Sequence, residues 1–582
     1  MKISKMQVHN IRSILDCTIN MADYSVLIGQ NNVGKSNILA ALRLFYDKIK
    51  FNDAEDFPKI QTTDNESWVE ITFSTTESEQ ALLKEEYKTA DGFLKLRRIF
   101  KTDNKDFPIK ASNSNIFAYE HGVLSNRNFY GAKNVSLGKI GDLIYIPAVN
   151  KIEDITKTSG TSPLKSIIEF VVKNIAKSSP AFTKLQQQYS DFSRVIKDEV
   201  TSNGLSLSSL TNDINNEIQS WGISCDIDIA STDIDTIIKN QIQFSMIDRV
   251  IDSKVELSNY GQGFQRNLIY TLIKLSTKYI DHTPNISEEF APNLTIIAFE
   301  EPEAFLHISQ QETMNYNLEQ LSRTDNMQVV VTSHSTTFAS RNIKDFDKII
   351  RLDKSEGKTT AYQLSHTDVE ELTHENLSLL GEIKRHGETG TISERAYRPY
   401  KDKDPEAPEL LEQESFRYLS WIDSERAGMF FANVVIVCEG ATEKAVFDYL
   451  LSTEWGDLKE KGIYILDAMG KFNINRYMNL FGKLGIAHSV LFDMDTFEVQ
   501  RVINQFIVES RNNFTRQIYH FNVDFEHFLG IEAPSEKAIK PLNAIRKLVT
   551  GQVAVEKIRE LRTVIESLLR EGIVREIHGE IE

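Results

Sequence analysis

The eight residues from Gly29 to Ser36, GQNNVGKS, have the spacing of a phosphate-binding loop. Gly29 and Gly34, with Asn32 between them, let backbone amides face phosphate oxygens, Lys35 reaches the β and γ oxygens, and Ser36 can ligate Mg²⁺. Partners for a nucleotide follow in order. LTIIAFEEPE is an apolar run ending in Glu300 and Glu301, suited respectively to Mg²⁺ coordination and to polarising the attacking water. VVVTSHS ends in His334, placed to sense a γ-phosphate. Before them LSNYGQGFQR, with Ser258 and Gly261, stands just ahead of a helix, where amides meet an anion.

A second set begins at VVIVCEGATEK, residues 434–444. EGxxE alone says little, because usage statistics give it in about one chain in six of this length. Its context says more. Glu439 ends a strand-like run, Gly440 permits close backbone approach, and Glu443 lies one helical turn on. SVLFDMD is another such run, ending in Asp493 and Asp495, which as alternate strand residues would project from one face. Four carboxylates at the ends of neighbouring strands repel one another unless cations neutralise them. Oxygen ligands favour Mg²⁺ or Mn²⁺, and an open pair of such ions is a phosphodiester-cleaving arrangement.

The elements that position these residues give an α/β chain. KISKMQVHNI, YSVLIG, WVEITFS, FLKLRRIF and DLIYIPA are strand-like, and SNILAALRLFYDKI is helical by its apolar spacing. From about 160 to 250 the sequence turns polar and helix-spaced, as in FTKLQQQYSDFSRVIKDEV. DKDPEAPELLEQE combines prolines with acids and marks a linker. Beyond it NVVIVCEG, GIYILDA and HSVLFDMD predict a second, parallel sheet. The expected organisation is 1–155 and 253–365 as the two parts of a nucleotide-binding domain, 156–252 as a helical insertion, 366–430 as linker, and 431–582 as the second domain.

With 582 residues the chain should hold more than one core. No apolar run approaches a membrane span, the start MKISKMQVHNIRS lacks the apolar core of a signal peptide, and three scattered cysteines make neither a disulfide framework nor a zinc knuckle. A cytoplasmic protein is expected. The net charge of −17 argues against uniform stickiness for nucleic acid and leaves room for a local basic track. Lys95, Arg97, Arg98, Lys101, Lys105 and Lys110 form one candidate, and Lys384, Arg385, Arg395, Arg398 and Lys401 another; each reads more readily as a solvated surface.

The order of phosphate loop, LSNYGQGFQR, FEEPEAFLH and TSHS resembles an ABC-type ATPase head of the chromosome-maintenance and RecF-like kind. MQVHNIRSI resembles that group's first strand, with Arg12 as a nucleotide contact. The resemblance implies ATP held between two protomers, hence at least a homodimer. Asn259 and Tyr260 depart from the usual LSGGQ, which bears on turnover more than on ATP binding. The acidic set resembles a Toprim domain, whose glycine loop Gly470 and Lys471 match. There Glu526 in VDFEHFL stands either as an added metal ligand or as a surface acid on a helix. Lys540 in AIKPLNAIRKL likewise either steadies a phosphate or leaving oxygen or is a surface lysine. An ABC-type head followed by a Toprim domain resembles the overcoming-lysogenization-defect (OLD) family of ATP-binding nucleases. The resemblance implies a dimerising helical insertion, ATP with Mg²⁺ in the head, and two Mg²⁺ or Mn²⁺ ions in the Toprim site. It also implies DNA as substrate and a role in bacterial antiviral defence, alone or beside a helicase or a reverse transcriptase with its DNA. The competing reading is an ATP-gated DNA clamp or repair factor with a non-catalytic acidic cluster. A primase or topoisomerase fits less well, since neither a zinc module nor a tyrosine-bearing cleavage domain can be read.

Overall fold

The computed structural model describes residues 1–131, 139–148, 290–341, 346–570 and 576–577, apart from a few single positions, together with parts of 179–271. Contacts divide the chain into two units. One comprises Met1–Leu143, Glu289–Glu303 and His307–Glu582, and the other Ile144–Glu288 with Ala304–Leu306. Most of the expected helical insertion lies outside the described residues. Within it helix α2 (Leu207–Ile218) starts at Ser206, whose side chain accepts the amide of Ser209.

The large unit opens with an antiparallel sheet. Strands β1 (Lys2–Ile11), β2 (Ile14–Asn20), β4 (Ser67–Ser74), β5 (Phe93–Lys101), β6 (Ile116–Glu120) and β7 (Val123–Asn128) lie in the order β2-β1-β4-β5-β6-β7. Asp142–Ile146 is a further strand, β8. The nucleotide-binding elements belong to a second sheet. Its strands β3 (Tyr24–Ile28), β9 (Thr295–Glu300), β10 (Met327–Ser333), β11 (Ile349–Ser355) and β12 (Lys358–Tyr362) run in the order β12-β11-β3-β10-β9. All five residues of β3, all six of β9 and all seven of β10 are buried, the mark of parallel strands covered on both faces. Ile28 pairs with Ser333 and Glu300 with Thr332, so three strands deliver their C-terminal ends to one edge. Helix α1 (Lys35–Phe45) follows β3 directly.

The C-terminal sheet places β14 (Ile463–Asp467), β13 (Val434–Cys438), β15 (His488–Asp493) and β16 (Thr515–Phe521) in that order, all parallel. Helices α5 (Ala441–Thr453) and α8 (Lys540–Val549) cover it through Val446, Phe447, Leu450, Ala544 and Leu548.

The stretch 366–430, expected as linker, is largely helical. Helix α3 (His366–Glu388) starts with a capping box between Ser365 and Asp368 and buries Leu372, Leu377, Leu379 and Ile383. The proline-and-acid run contains helix α4 (Pro408–Ser415), with Pro408 in its first turn where a missing amide costs nothing. Buried Glu414 pairs with Arg476, 2.6 Å away, and Tyr418 donates to the Arg476 carbonyl at 2.7 Å, which fastens this layer to helix α6 (Ile474–Leu484).

His488 is wholly buried on β15, its ring nitrogens meeting the Ile486 carbonyl and Thr515 hydroxyl, each at 2.9 Å. Burial pushes its pKa down to about 4, so it stays neutral in the fold. The unfolded chain binds the extra proton below its ordinary value near 6.5, and stability contributed by neutral His488 is lost as pH falls from about 6.5 to 4. We expect wild type to lose about 3 kcal/mol more than His488→Gln over that window. Urea unfolding at both pH values checks this; equal losses would refute it.

Candidate active site

In the nucleotide loop, Gly29, Asn32 and Gly34 take φ values of 143°, 65° and 107°, a run of backbone that only glycine and asparagine enter readily. A Cβ on Gly34 would stand 2.3 Å from Thr359 Oγ1, so side-chain-free backbone is required. Lys35 is buried, and its ammonium donates to the Gly29 and Gln30 carbonyls at 2.8 and 2.6 Å. Burial pushes its pKa down to about 8 against the pull of Glu301 and Glu303. Ser36 is exposed beside it.

Glu300 ends β9 and Glu301 follows in the left-handed region, φ 44°. Glu301 Oε1 is 3.3 Å from His334 Nε2, while His334 Nδ1 lies 3.4 Å from the Lys35 ammonium. Lys35, Glu301 and His334 therefore lie together. Glu303, which sequence reading passed over, supports them. Its carboxylate accepts from the His334 amide at 2.7 Å and the Ser333 hydroxyl at 2.8 Å. Burial holds its pKa up. The signal was present as the third acid of FEEPE. Arg12, expected at the nucleotide, pairs with Asp56 at 2.9 Å and reaches Asn37 at 3.5 Å. Of the signature, Ser258 lies outside the described residues, and Gly261 is exposed.

The acidic residues gather at the C-terminal ends of β13 and β15. Glu439 follows β13, and its Oε2 accepts the Asp493 amide at 3.3 Å. Glu443 is buried in the first turn of α5, its pKa pushed up to about 8 by burial, Glu439, Glu526 and Asp467. Asp493 closes β15 and is pushed up to about 9 by burial, Glu443 and Glu439. Its Oδ1 is buried without a hydrogen-bond partner. The same-face expectation for Asp493 and Asp495 fails, because β15 ends at Asp493 and Asp495 sits in the left-handed region, φ 32°. The turn instead hands Asp495 to Lys471, whose buried ammonium stands 2.6 Å from Asp495 and 3.5 Å from Glu439 and donates to the Asp493 carbonyl. Lys471 thus neutralises part of the acid cluster from within, a role beyond the glycine loop that sequence reading gave it. Gly470, φ 111°, lets that loop hydrogen-bond the Glu439 carbonyl at 2.7 Å.

Glu526 is 3% exposed on helix α7 (Phe525–Leu529), so the surface-acid reading is wrong for it. Its carboxylate lies 3.0 Å from the Lys540 ammonium, which is about a third exposed at the start of α8. Asp467 and Asp524, not singled out from sequence, act on Glu443 and Asp493 respectively.

The residues suit a divalent cation by their chemistry. A carboxyl oxygen is buried without a partner, and Glu443 and Asp493 have pKa values raised by burial and by neighbouring carboxylates, a cost that a cation removes. Among the described residues no three such side chains are drawn together as a finished cage. The first basic track is largely paired within the fold, and the second in part. Lys95 and Arg97 pair with Glu70, Arg98 with Asp47, Lys101 with Asp53, Arg385 with Glu382 and Lys401 with Glu394.

Residues 1–339 match the AAA ATPase domain family, more than half of the chain, and residues 430–495 match the overcoming-lysogenization-defect-protein-like Toprim domain. This chain belongs to the AAA ATPase domain family and carries an OLD-like Toprim domain. The Old nuclease of Escherichia phage P2 is 22% identical over 506 residues, covering 85% of this chain and 77% of its own length. Endonuclease GajA of Bacillus cereus (strain VD045) is 21% identical over 520 residues, 85% of this chain and 75% of that one. Among solved structures, the Smc head bound to the C-terminal winged-helix domain of ScpA is similar at 13% identity. It covers 64% of this chain and all of that one with a TM-score of 0.37. The fold is α/β, an ATPase domain followed by a parallel-sheet Toprim domain, and the two domains together imply nucleotide and divalent metal. No helix among the described residues is long and apolar enough to cross a membrane.

Proposed function

We propose that this protein is an OLD-family, divalent-metal-dependent DNA endonuclease whose ATPase head governs the Toprim centre, acting in the bacterial cytoplasm in antiviral defence. An ATP-binding endonuclease is what its domain pair and its named relatives support. The observation that carries the reading is the convergence of Glu439, Glu443 and Asp493 at the ends of adjacent parallel strands, with Asp493 and Glu443 both held above the ordinary carboxylate range. Glu439, Glu443, Asp493, Asp495 and Glu526 would hold Mg²⁺ or Mn²⁺, and the bound metal would supply the positive charge that activates water against a phosphodiester. Lys540, partly exposed beside Glu526, would meet the scissile phosphate or the leaving oxygen. Lys471 keeps Asp495 and Glu439 in place. In the head, Gly29, Asn32, Gly34 and Lys35 would cradle the ATP phosphates. Ser36 and Glu300 would take its Mg²⁺, Glu301 would orient water, and His334 would read the γ-phosphate. Ser258 and Gly261 would complete the site from a second protomer, making the working form a homodimer or larger. A helicase, or a reverse transcriptase with its DNA, is the kind of partner this reading allows. Plasmid nicking in Mg²⁺ or Mn²⁺ should be at least about a hundredfold slower in Glu439→Ala; undiminished nicking would show that the acidic set is not the nuclease centre.

A further inference from the structure

Arg351 is 3% exposed, and its charge is met by little. Nη2 is 3.6 Å from Asp353, and Nε is buried without a partner. Its Nη1 donates instead across the domains, to the Leu484 and Gly485 carbonyls at 3.1 and 2.9 Å. These are the carbonyls of the last residue of α6 and of the glycine that caps it, so a cation sits at the negative end of the helix dipole. An apolar contact would hold two domains together at less desolvation cost. A buried arginine there fixes one geometry.

The same hairpin touches the nucleotide loop on its other flank. Arg351 pairs with Ile28, the residue before Gly29, and a Cβ on Gly29 would stand 2.4 Å from the Leu352 carbonyl. Thr359, on β12, donates to the Val33 carbonyl at 2.8 Å and presses on Gly34. Tyr362, which pairs with Arg351, lies with its ring against Gly485, leaving 2.4 Å for any Cβ. The β11–β12 hairpin is therefore wedged between the phosphate loop and the C-terminal end of α6. The other end of α6 follows directly on Lys471–Asn473, and Lys471 is the cation inside the Toprim acid cluster.

We infer that Arg351 and Tyr362 are positioning residues that couple nucleotide in the phosphate loop to the seat of Lys471 in the Toprim centre, through α6 as a rigid strut. This rests on the reading that the head governs the Toprim site, and gives it a route. Any change in Gly29–Gly34 on binding phosphates reaches Leu352 and Thr359 without slack, and Arg351 passes it to the helix end.

Hydrogen exchange of the full chain, with and without ATPγS and Mg²⁺, tests the inference. In wild type, nucleotide should change exchange in residues 472–484 by about fivefold or more. In Arg351→Met, nucleotide should bind as before while that change falls below about twofold. Arg351→Lys, which keeps the charge as a single-point donor, serves should the Met variant not fold; it should show a reduced change. An undiminished response in either variant overturns the coupling, as does a wild type whose phosphate loop responds while 472–484 does not. Failure of plasmid nicking with the exchange coupling intact would remove the nuclease reading and leave the route standing.

Discussion

Asp493→Asn should lower metal-dependent nicking by about a hundredfold or more and, in the metal-free protein, raise the melting temperature by about 2 °C or more. The two effects have one cause. Asp493 is pushed up to about 9 by burial and by Glu443 and Glu439, far above its ordinary value. A carboxyl whose folded pKa is raised costs stability as pH climbs from the unfolded value near 4 towards the folded one, because the unfolded chain ionises freely and the fold resists. At pH 7 that cost is present, and asparagine, which has no proton to lose, removes it. Added Mg²⁺ should then stabilise nucleotide-free wild type, by binding the folded form alone, and leave Asp493→Asn almost unmoved. A variant that nicks plasmid at wild-type rate, or melts lower than wild type in EDTA, would contradict this account. The centre trades stability for function, as sites that concentrate like charge do.

What could be read from the sequence follows from how local each feature is. VVIVC and VLF announce themselves because parallel strands buried on both faces read as apolar runs, and the acids that follow them mark the sheet edge. GQNNVGKS is legible for the same reason, since loop, strand and helix are contiguous. Asp495 was misplaced because alternation holds only while the strand does, and nothing in DMD says the chain turns left-handed there. The stretch 366–430 reads as linker because proline and acids usually break structure. Pro408 begins a helix, and in α3 Glu370, Glu371, Glu375 and Glu388 stay exposed while Leu372, Leu379 and Ile383 are buried. Glu526 reads either way from sequence because burial of an acid depends on how its helix packs and on a partner in another helix, here Lys540. Least legible of all is Arg351, whose acceptors are backbone carbonyls 133 and 134 residues away. A side chain that bonds backbone leaves no complementary residue type to find.

Lys35→Met should weaken ATP binding by about a hundredfold or more and remove a pH dependence that wild type shows. The magnitude comes from losing charge-assisted hydrogen bonds to phosphate, each about 1.5–3 kcal/mol. The pH dependence comes from the state of the lysine before ATP arrives. Buried against the Gly29 and Gln30 carbonyls, its pKa is pushed down to about 8, although Glu301 and Glu303 pull it up. Phosphates beside it would restore the ordinary lysine range, so ATP binds the protonated form. Below pH 8 that form predominates and affinity should be flat. Above pH 8 binding must take up a proton, and affinity should fall by up to about tenfold per pH unit. Titration calorimetry at pH 7, 8 and 9, in buffers of different ionisation enthalpy, reads both the affinity and the proton uptake. A flat wild-type profile from pH 7 to 9 would mean that nucleotide leaves the lysine as it finds it. Binding by Lys35→Met within a few-fold of wild type would remove Lys35 from the phosphate site altogether.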